Sequence, residues 1–531
     1  MGVALRRLAP LALPAAIATT VLLVGMLAVR PYLVGSFFDD GVYVILGKAL
    51  ATGQGYRYLH LPGHPMATHY PPGYPILLAA LWRIAPEFPA NVAVFQFANA
   101  LLLAAAAVGS YLFVRGRLQC SPAWSVAVAI GGSFAIPVLA QTTMLISEPL
   151  FVAVLMPTLL LTERAVDSGG AEARATPDGL EGPRAALIAG AMCGALALVR
   201  SVGAVAIPAA VAVAVSRRRY GAAACVSLSS LVLLLPWQLW LRAHGADLAP
   251  ELRDAYGSYA AWVLDPIRQH GLAFAAGTAN MNVIGLLRIP LVQMTPDWPT
   301  WAKAMALAGS AMLLVVGLRR LSAAAPVTAA FYCLYMIEVV LWPFPPYRFF
   351  WTMWPVTVMI CALALRAIWS WRPVGVARNA SRLATLVVVS VPALAFAGYN
   401  VAGYRGHWWS EMQNNRGPRI AHVVASVSRH ATSGGPVVSE QGPAVYLYAG
   451  REGVPALSSG ADEFLYHRDT ARDRAYLDAV LRRFSAPLLV ASSPEVVAAA
   501  NRLTAQIPPV LTTLDTLAPA TGVATFTRAT P

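Results

Sequence analysis

Apolar runs of about 20 residues, separated by short polar segments that carry arginines, fill residues 1–405. A helix of that length rises about 30 Å, the thickness of the hydrocarbon core of a bilayer. The pattern predicts eleven spans: Leu11–Val29, Asn91–Val114, Trp124–Gln141, Leu150–Leu161, Ala185–Val199, Val202–Val215, Ala222–Leu241, Trp301–Leu318, Ala323–Leu341, Phe349–Ile368 and Leu383–Val401. The short pair around Arg200 also reads as one bent hairpin or a re-entrant element, which would flip every later loop. Arg6 and Arg7 precede the first run as in a signal peptide. No small-residue cleavage site follows, so the run is expected to stay as a first helix with its N-terminus in the cytoplasm.

Past residue 405 the pattern changes to short alternating apolar stretches among charges and serines. Gly435–Ser439, Ala444–Ala449, Pro487–Ser492 and Gly522–Thr527 read as strands; Arg419–His430, Ala471–Phe484 and Pro494–Leu503 read as helices. The expected fold is a polytopic α-helical membrane protein of about 11 transmembrane helices over residues 1–405. A small extracytoplasmic α/β domain follows over residues 406–531. That domain has no phosphate-binding glycine motif and is expected to act as a lid or acceptor platform, or simply to complete the fold.

Composition agrees with a bilayer as solvent. The chain is 57% hydrophobic and 12% charged, too little charge to cover a soluble protein of 531 residues. Its net charge of +14 is carried almost wholly by arginine, with lysine only at Lys48 and Lys303. No aromatic-interleaved basic strand or recognition helix accompanies it, so the excess points to membrane topology rather than nucleic acid. Alternation from a cytoplasmic N-terminus puts every tight basic group inside: Arg115 and Arg117; Arg164, Arg174 and Arg184; Arg217, Arg218 and Arg219; Arg319 and Arg320; Arg372, Arg378 and Arg382. Three long segments then lie outside, residues 31–90, 242–300 and the tail. Cys120, Cys193, Cys225, Cys333 and Cys361 sit in or beside apolar segments without CxxC or Cys/His spacing, so neither a disulfide framework nor a structural zinc site is expected.

The densest chemistry is in the first outer segment. It reads Phe37-Phe38-Asp39-Asp40-Gly41-Val42-Tyr43, continues through Gly47-Lys48-Ala49-Leu50, and closes on His69-Tyr70-Pro71-Pro72-Gly73-Tyr74-Pro75. Carboxylates directly after a membrane span are costly to desolvate unless partnered, so Asp39 and Asp40 mark a site. Near a low-dielectric wall one of them makes a general base for a hydroxyl acceptor; either can also cap the helix expected over Gly41–Ala51.

The runs DDGVY, GKALATGQGY and HYPPGYPILLA resemble the first extracytoplasmic loop of membrane glycosyltransferases of the C-type (GT-C) fold. The resemblance is nearest to the branch of protein O-mannosyltransferases and lipid A aminoarabinose transferases. In that branch a paired acid before Gly-x-Tyr opens a surface helix, and a Tyr-Pro-Pro-x-Tyr-Pro turn leads into a second one. The resemblance implies Asp39 as the catalytic acid residue and Asp40 in the slot usually held by Glu or Asp. Tyr43 and Tyr70 belong to these two elements and join the candidate pocket. A Ser-Glu-Pro-Leu element is matched at Ser147-Glu148-Pro149-Leu150, an arginine in similar context at Arg200, and the arginine associated with the carrier-lipid phosphate at Arg348.

The residues also have readings of their own. Glu148 can position an acceptor or a metal, or accept from an arginine, or serve as a helix N-terminal acid ahead of Pro149. Arg200 interrupts an apolar stretch and needs an anionic partner unless it snorkels. Arg348 carries the planar fork that suits a phosphate, or anchors in an aromatic belt. Tyr347 and Trp342 can shape a sugar pocket, Lys48 can steer an anionic head group, and Asp254, Tyr256 and Tyr259 are placed to touch an acceptor. His60, His64 and His69 lie on a proline-broken loop at spacings that fix no common face. No cofactor is assigned with certainty, and a divalent metal stays open because some of the resembling proteins bind one while others need none.

The expected function is a hexosyl- or pentosyltransferase of the cell membrane. It would take sugar from a polyprenyl-phosphate carrier and pass it, with inversion, to an extracytoplasmic lipid, polysaccharide or protein. Mannose, arabinose, aminoarabinose and other hexoses or pentoses all fit. The alternatives are a polysaccharide polymerase or ligase, and a lipid-linked sugar transporter or flippase without chemistry. Acids gathered at one face, with no internal repeat, argue against the transporter.

Overall fold

Every apolar run expected to span is helical in the computed structural model, which describes residues 2–167, 182–371, 376–430, 434–458, 460, 463, 465–466, 468–516 and 522–529. Arg174 and Arg372 lie outside the described residues. The helices of the membrane part are α1 (Gly2–Ala28), α2 (Asp39–Ala51), α3 (Gly73–Ile84), α4 (Val92–Gly116), α5 (Pro122–Ser133), α6 (Ile136–Thr143), α7 (Glu148–Asp167), α8 (Gly182–Val199), α9 (Ala206–Ser216) and α10 (Tyr220–His244). They continue with α11 (Arg253–Tyr256), α12 (Tyr259–His270), α13 (Leu272–Arg288), α14 (Thr300–Ala324), α15 (Pro326–Leu341), α16 (Tyr347–Thr352), α17 (Trp354–Ser370) and α18 (Val376–Gly406).

Among the described residues, 8 helices are long and apolar enough to cross a membrane, or 9 if the bent pair α5–α6 is one span. The chain is a multi-pass membrane protein. The runs expected at Val202–Val215, Ala323–Leu341 and Phe349–Ile368 form shorter apolar helices, so length and composition do not return the eleven spans expected.

One long apolar helix falls inside a segment that reads as wholly outer. In α13, Thr278, Asn282 and Gly285 are buried, whereas Val283, Ile284 and Leu287 are exposed. Phe274 apart, the residues of α13 that meet protein are small or polar, the reverse of a water-soluble helix. Asn282, midway along, donates to the carbonyls of Val339, Val340 and Trp342 at 3.0, 3.2 and 2.6 Å. Those carbonyls end α15, so the midpoint of α13 is level with the end of its neighbour.

The tail begins with α19 (Glu411–Arg429) and holds a five-stranded sheet of order β2-β1-β3-β5-β4. Its strands are β1 (Val437–Val438), β2 (Gly453–Val454), β3 (Leu488–Ala491), β4 (Leu511–Thr516) and β5 (Ala524–Arg528). β1 runs parallel to β2 and β3, and β5 antiparallel to β3 and β4. The expected strand Ala444–Ala449 is instead part of a helix, α20 (Gly442–Ala449). Pro443 in its first turn and left-handed Gly450 (φ 66°) just past its end favour that outcome. The expected helices recur as α19, α21 (Thr470–Arg483) and α22 (Pro494–Thr504).

The tail roofs the first outer loop. A Cβ on Gly41 of α2 would stand 2.7 Å from Pro443 Cβ, and one on Gly35 2.8 Å from Ala444 Cβ, so two close approaches require glycine. The Val34 N–H donates to the Tyr448 hydroxyl (2.9 Å), and Gln413 accepts from the Leu33 N–H (3.2 Å) and the Ser36 hydroxyl (2.8 Å).

At the opposite end of the bundle Arg117 pairs with Glu163 (3.2 Å) and Asp167, and Arg217 also meets Asp167. Glu163 accepts from the Thr328 N–H (2.7 Å) and hydroxyl (2.8 Å) at the start of α15. Members of the basic clusters therefore gather at one end, while the acids and arginines of the candidate site gather at the other.

Candidate active site

The chain enters α2 through a strained turn. Phe38 has φ 70° and ψ −63°, and the Asp39 N–H reaches back to the Phe37 carbonyl at 3.0 Å. This is a γ-turn of the rare kind, which costs on the order of 1–3 kcal/mol. Asp40 braces it. Its Oδ2 accepts from the Tyr32 hydroxyl (2.5 Å) and the Gly35 N–H (2.9 Å), and its Oδ1 from the Phe37 N–H (3.1 Å). The side chain is fully buried, and burial pushes its carboxyl pKa up against the pull of these donors. The pair expected to be catalytic is thus divided: Asp39 enters the site, whereas Asp40 holds the turn that presents it. Asp40→Ala would strand three donors, one buried and two half-buried, and should cost about 1–3 kcal/mol. A thermal-shift measurement should show a lowered Tm, and an unchanged melting curve would show that the turn stands without this brace.

Asp39 lies at the open end of a chain of alternating charges. One of its oxygens accepts from the Tyr70 hydroxyl at 2.8 Å, and the other meets Arg348 Nη1 at 2.7 Å. Arg348 turns Nε and Nη2 to Glu148 in a bidentate pair, with Nη2 3.1 Å from Oε2. Glu148 also takes Arg200 Nη1 at 2.7 Å. Arg200 in turn donates to the Ser147 hydroxyl (3.1 Å), which is bonded to the Tyr43 hydroxyl (3.1 Å). Side-chain exposure rises from 1% at Glu148 through 10% at Arg200 and 21% at Arg348 to 27% at Asp39. Glu148 is therefore the buried anchor, and Asp39 with Arg348 faces the opening.

Local structure explains how these groups meet. Glu148 opens α7 just before Pro149, where a helix N-terminus favours an acid. Arg200 occupies the extended break (φ −147°) between α8 and the turn Ser201–Val205. Arg348 rides on α16, whose backbone is tied down by the Gln141 amide donating to the Arg348 carbonyl at 2.7 Å. Phe37 lies under the Arg348 guanidinium (4.5 Å) and Phe349 under that of Arg200 (5.7 Å).

Aromatic rings surround the acid. Tyr43 meets Tyr70 (4.9 Å) and Tyr74 (5.2 Å) edge-on. His69 packs against Tyr70 (4.7 Å), Tyr259 (4.1 Å) and Trp262 (4.5 Å). Trp262 reaches Phe344 (4.7 Å), on the turn that leads to Arg348.

Other expected members do not join. Lys48 stands about 13 Å along α2 from Asp39 by helical rise, with its ammonium over the Tyr446 ring of the tail (4.8 Å). Tyr347 packs with the hydrophobic cluster around Trp351. His60 bonds to the Tyr256 hydroxyl (2.7 Å), His64 pairs with Glu452 (3.3 Å), and His69 Nδ1–H donates to the Gly257 carbonyl. Among the described residues no group of three His, Cys, Asp or Glu is placed to hold a metal. Ser147 and Phe37 belong to the quoted motifs yet carry no sequence signal of their own; Gln141 and Trp262 are recognisable only in three dimensions.

Burial pushes the His69 pKa from 6.5 down to about 4 and that of His60 to about 3. The unfolded chain therefore binds more protons between those values and pH 6.5. Their contribution to stability is complete above pH 6.5 and is lost as the medium acidifies. Tm should fall on going from about pH 7.5 to 5, with a shallower slope in His69→Gln; equal slopes would place the acid sensitivity elsewhere.

No protein-family profile matches the chain, and no curated protein sequence matches it. Solved structures do. ArnT from Cupriavidus metallidurans matches in the apo state with a TM-score of 0.52 at 13% identity, covering 98% of both chains. The same protein bound to undecaprenyl phosphate gives 0.51 at 14% identity, again over 98% of both. The archaeal oligosaccharyltransferase AglB from Archaeoglobus fulgidus, in complex with an inhibitory peptide and a dolichol-phosphate, gives 0.48 at 13% identity, over 97% of this chain and 74% of that one. At such identity the likeness is one of fold, and the fold this chain shares with ArnT is GT-C, the one its first outer loop resembles.

Proposed function

We propose that this protein is a membrane glycosyltransferase that moves a sugar, with inversion, from a polyprenyl-phosphate carrier to an extracytoplasmic acceptor. The observation that carries the reading is the contact of Asp39 with Arg348 at the open end of a buried charge chain. That a protein of the same fold, ArnT, binds undecaprenyl phosphate supports the choice of carrier. The distribution of arginines supports an extracytoplasmic side for the site's end of the bundle.

The geometry supports the following sequence of events. Glu148 fixes two nitrogens of Arg348, and Asp39 engages the third. A carrier phosphate arriving at Arg348 competes with Asp39 for Nη1, and the carboxylate, still held by Tyr70, turns to the acceptor. Asp39 takes the acceptor's proton as the acceptor oxygen bonds to the anomeric carbon. The bond from that carbon to the phosphate oxygen breaks, and its electron pair leaves on the phosphate. Negative charge grows there as the diester becomes a monoester, so the fixed guanidiniums of Arg348 and Arg200 stabilise the transition state more than the ground state.

Purified protein incubated with a panel of polyprenyl-phosphate sugars and candidate acceptors, with products read by mass spectrometry, tests this directly. Consumption of one donor with a glycosylated product is expected. Carrier binding without turnover of any donor would overturn the enzyme.

A further inference from the structure

The second outer segment offers Asp254, Tyr256 and Tyr259 as polar groups, and the structure separates them. The Asp254 carboxylate accepts from the Ser458 hydroxyl of the tail at 2.5 Å, and the Tyr256 hydroxyl shares a hydrogen bond with His60 at 2.7 Å. Tyr259 is different. It is half-buried, and among the described residues no hydrogen bond engages its hydroxyl. The hydroxyls of Tyr43, Tyr58, Tyr70 and Tyr74 are all partnered.

The Tyr259 ring is held from two sides, and these lead to the two ends of the charge chain. Its centroid is 4.1 Å from that of His69, whose neighbour Tyr70 donates to Asp39. The His69 Nδ1–H donates to the Gly257 carbonyl, which ties the start of α12 to the same place. On the other side Trp342 meets Tyr259 edge-on at 5.6 Å. Phe349 lies 6.5 Å from Trp342, and Arg200 stands 5.7 Å over Phe349. The phenol accordingly lies in the fields of Tyr43, Asp39 and Arg200 together. Burial first, then Tyr43 and Asp39, raise its pKa against the pull of Arg200. It therefore keeps its proton at neutral pH and acts as a donor.

The arginines leave an anion unsaturated. Arg200 spends Nη1 on Glu148 and Ser147, and its buried Nε has no hydrogen-bond partner among the described residues. A phosphate that displaces Asp39 from Arg348 Nη1 and meets this open edge of Arg200 still has oxygen lone pairs to fill.

We propose that Tyr259 is a catalytic residue that donates its hydroxyl to an oxygen of the carrier phosphate. The assignment rests on the glycosyltransferase reading above and adds a neutral donor to the two guanidiniums. As the bond from the anomeric carbon to the phosphate oxygen breaks, its electron pair settles on the phosphate. The phenol keeps its proton, and its hydrogen bond strengthens with the growing charge. Such a donor lowers the barrier more than it tightens substrate binding.

Tyr259→Phe in the full-length protein tests it. The ring still packs on His69 and Trp342, so the melting curve should match the wild type. With the cognate donor, kcat should fall about 10²-fold, with the acceptor KM nearly unchanged. Calorimetric titration with farnesyl phosphate, a monoester like the departing carrier, should show about tenfold weaker binding. Tyr256→Phe, which loses the bond to His60, should lower Tm and leave kcat and the titration as they are. A raised acceptor KM with kcat and farnesyl phosphate affinity kept would put Tyr259 on the acceptor and overturn the phosphate contact. Equal farnesyl phosphate affinity in variant and wild type, or none in either, would overturn it too. Absence of donor turnover in the wild type would instead overturn the enzyme reading, while the titration still decides the Tyr259 contact.

Discussion

Asp39→Asn should slow sugar transfer by about 10²- to 10⁴-fold while carrier affinity is retained or rises. The amide cannot accept the acceptor's proton, which removes the base. It also gives up the charge that engages Arg348 Nη1, so a phosphate meets less competition there. The Tyr70 hydroxyl can still donate to the amide oxygen, so the loop should hold its shape. Kinetics with the cognate donor, together with direct carrier titration, separate the two effects. Transfer within about tenfold of wild type would mean that another group takes the proton.

Arg348→Ala should abolish transfer and reduce carrier binding below detection. It would also destabilise the protein, because it leaves Glu148 short of a bidentate partner and Asp39 without a counter-ion. Breaking a buried pair from one side costs about 3–5 kcal/mol, although Arg200 on the same Glu148 carboxylate softens the loss here. Arg348→Lys should fail as well, since one ammonium cannot span both Glu148 oxygens and reach Asp39. Carrier titration and melting curves check both variants. Wild-type carrier affinity in Arg348→Lys would show that charge alone suffices and that the fork is incidental.

Much of this site is legible in one dimension because of what membranes forbid. Carboxylates and arginines at the edges of apolar runs are conspicuous, so Asp39, Glu148, Arg200 and Arg348 stand out, and the structure brings them into one network. What a linear pattern hides is which neighbour does which job. Asp39 and Asp40 are adjacent and chemically identical, and only the γ-turn at Phe38 sends one outward and the other into the backbone of its own loop.

Periodicity also fails where two periods fit the same letters. Ala444-Val445-Tyr446-Leu447-Tyr448-Ala449 is apolar throughout and rich in residues that strands favour, yet Pro443 and Gly450 delimit a helix. Strand β4, Leu511–Thr516, is half threonine and carries little apolar alternation. The helix α13 escapes notice because, past Phe274, its buried stripe is Thr278, Asn282 and Gly285, the inverse of the usual amphipathic pattern.

Val34 and Tyr448 share a hydrogen bond although 414 positions separate them. The segment that presents Asp39 is made near the start of synthesis, and the helix that clamps it near the end. At about 5–20 residues per second, roughly 20–80 s of translation lie between them. A nascent copy therefore lacks the clamp on its first outer loop until its final portion has been made, and truncation before Tyr448 should cost the proposed transfer while leaving the apolar helices in place.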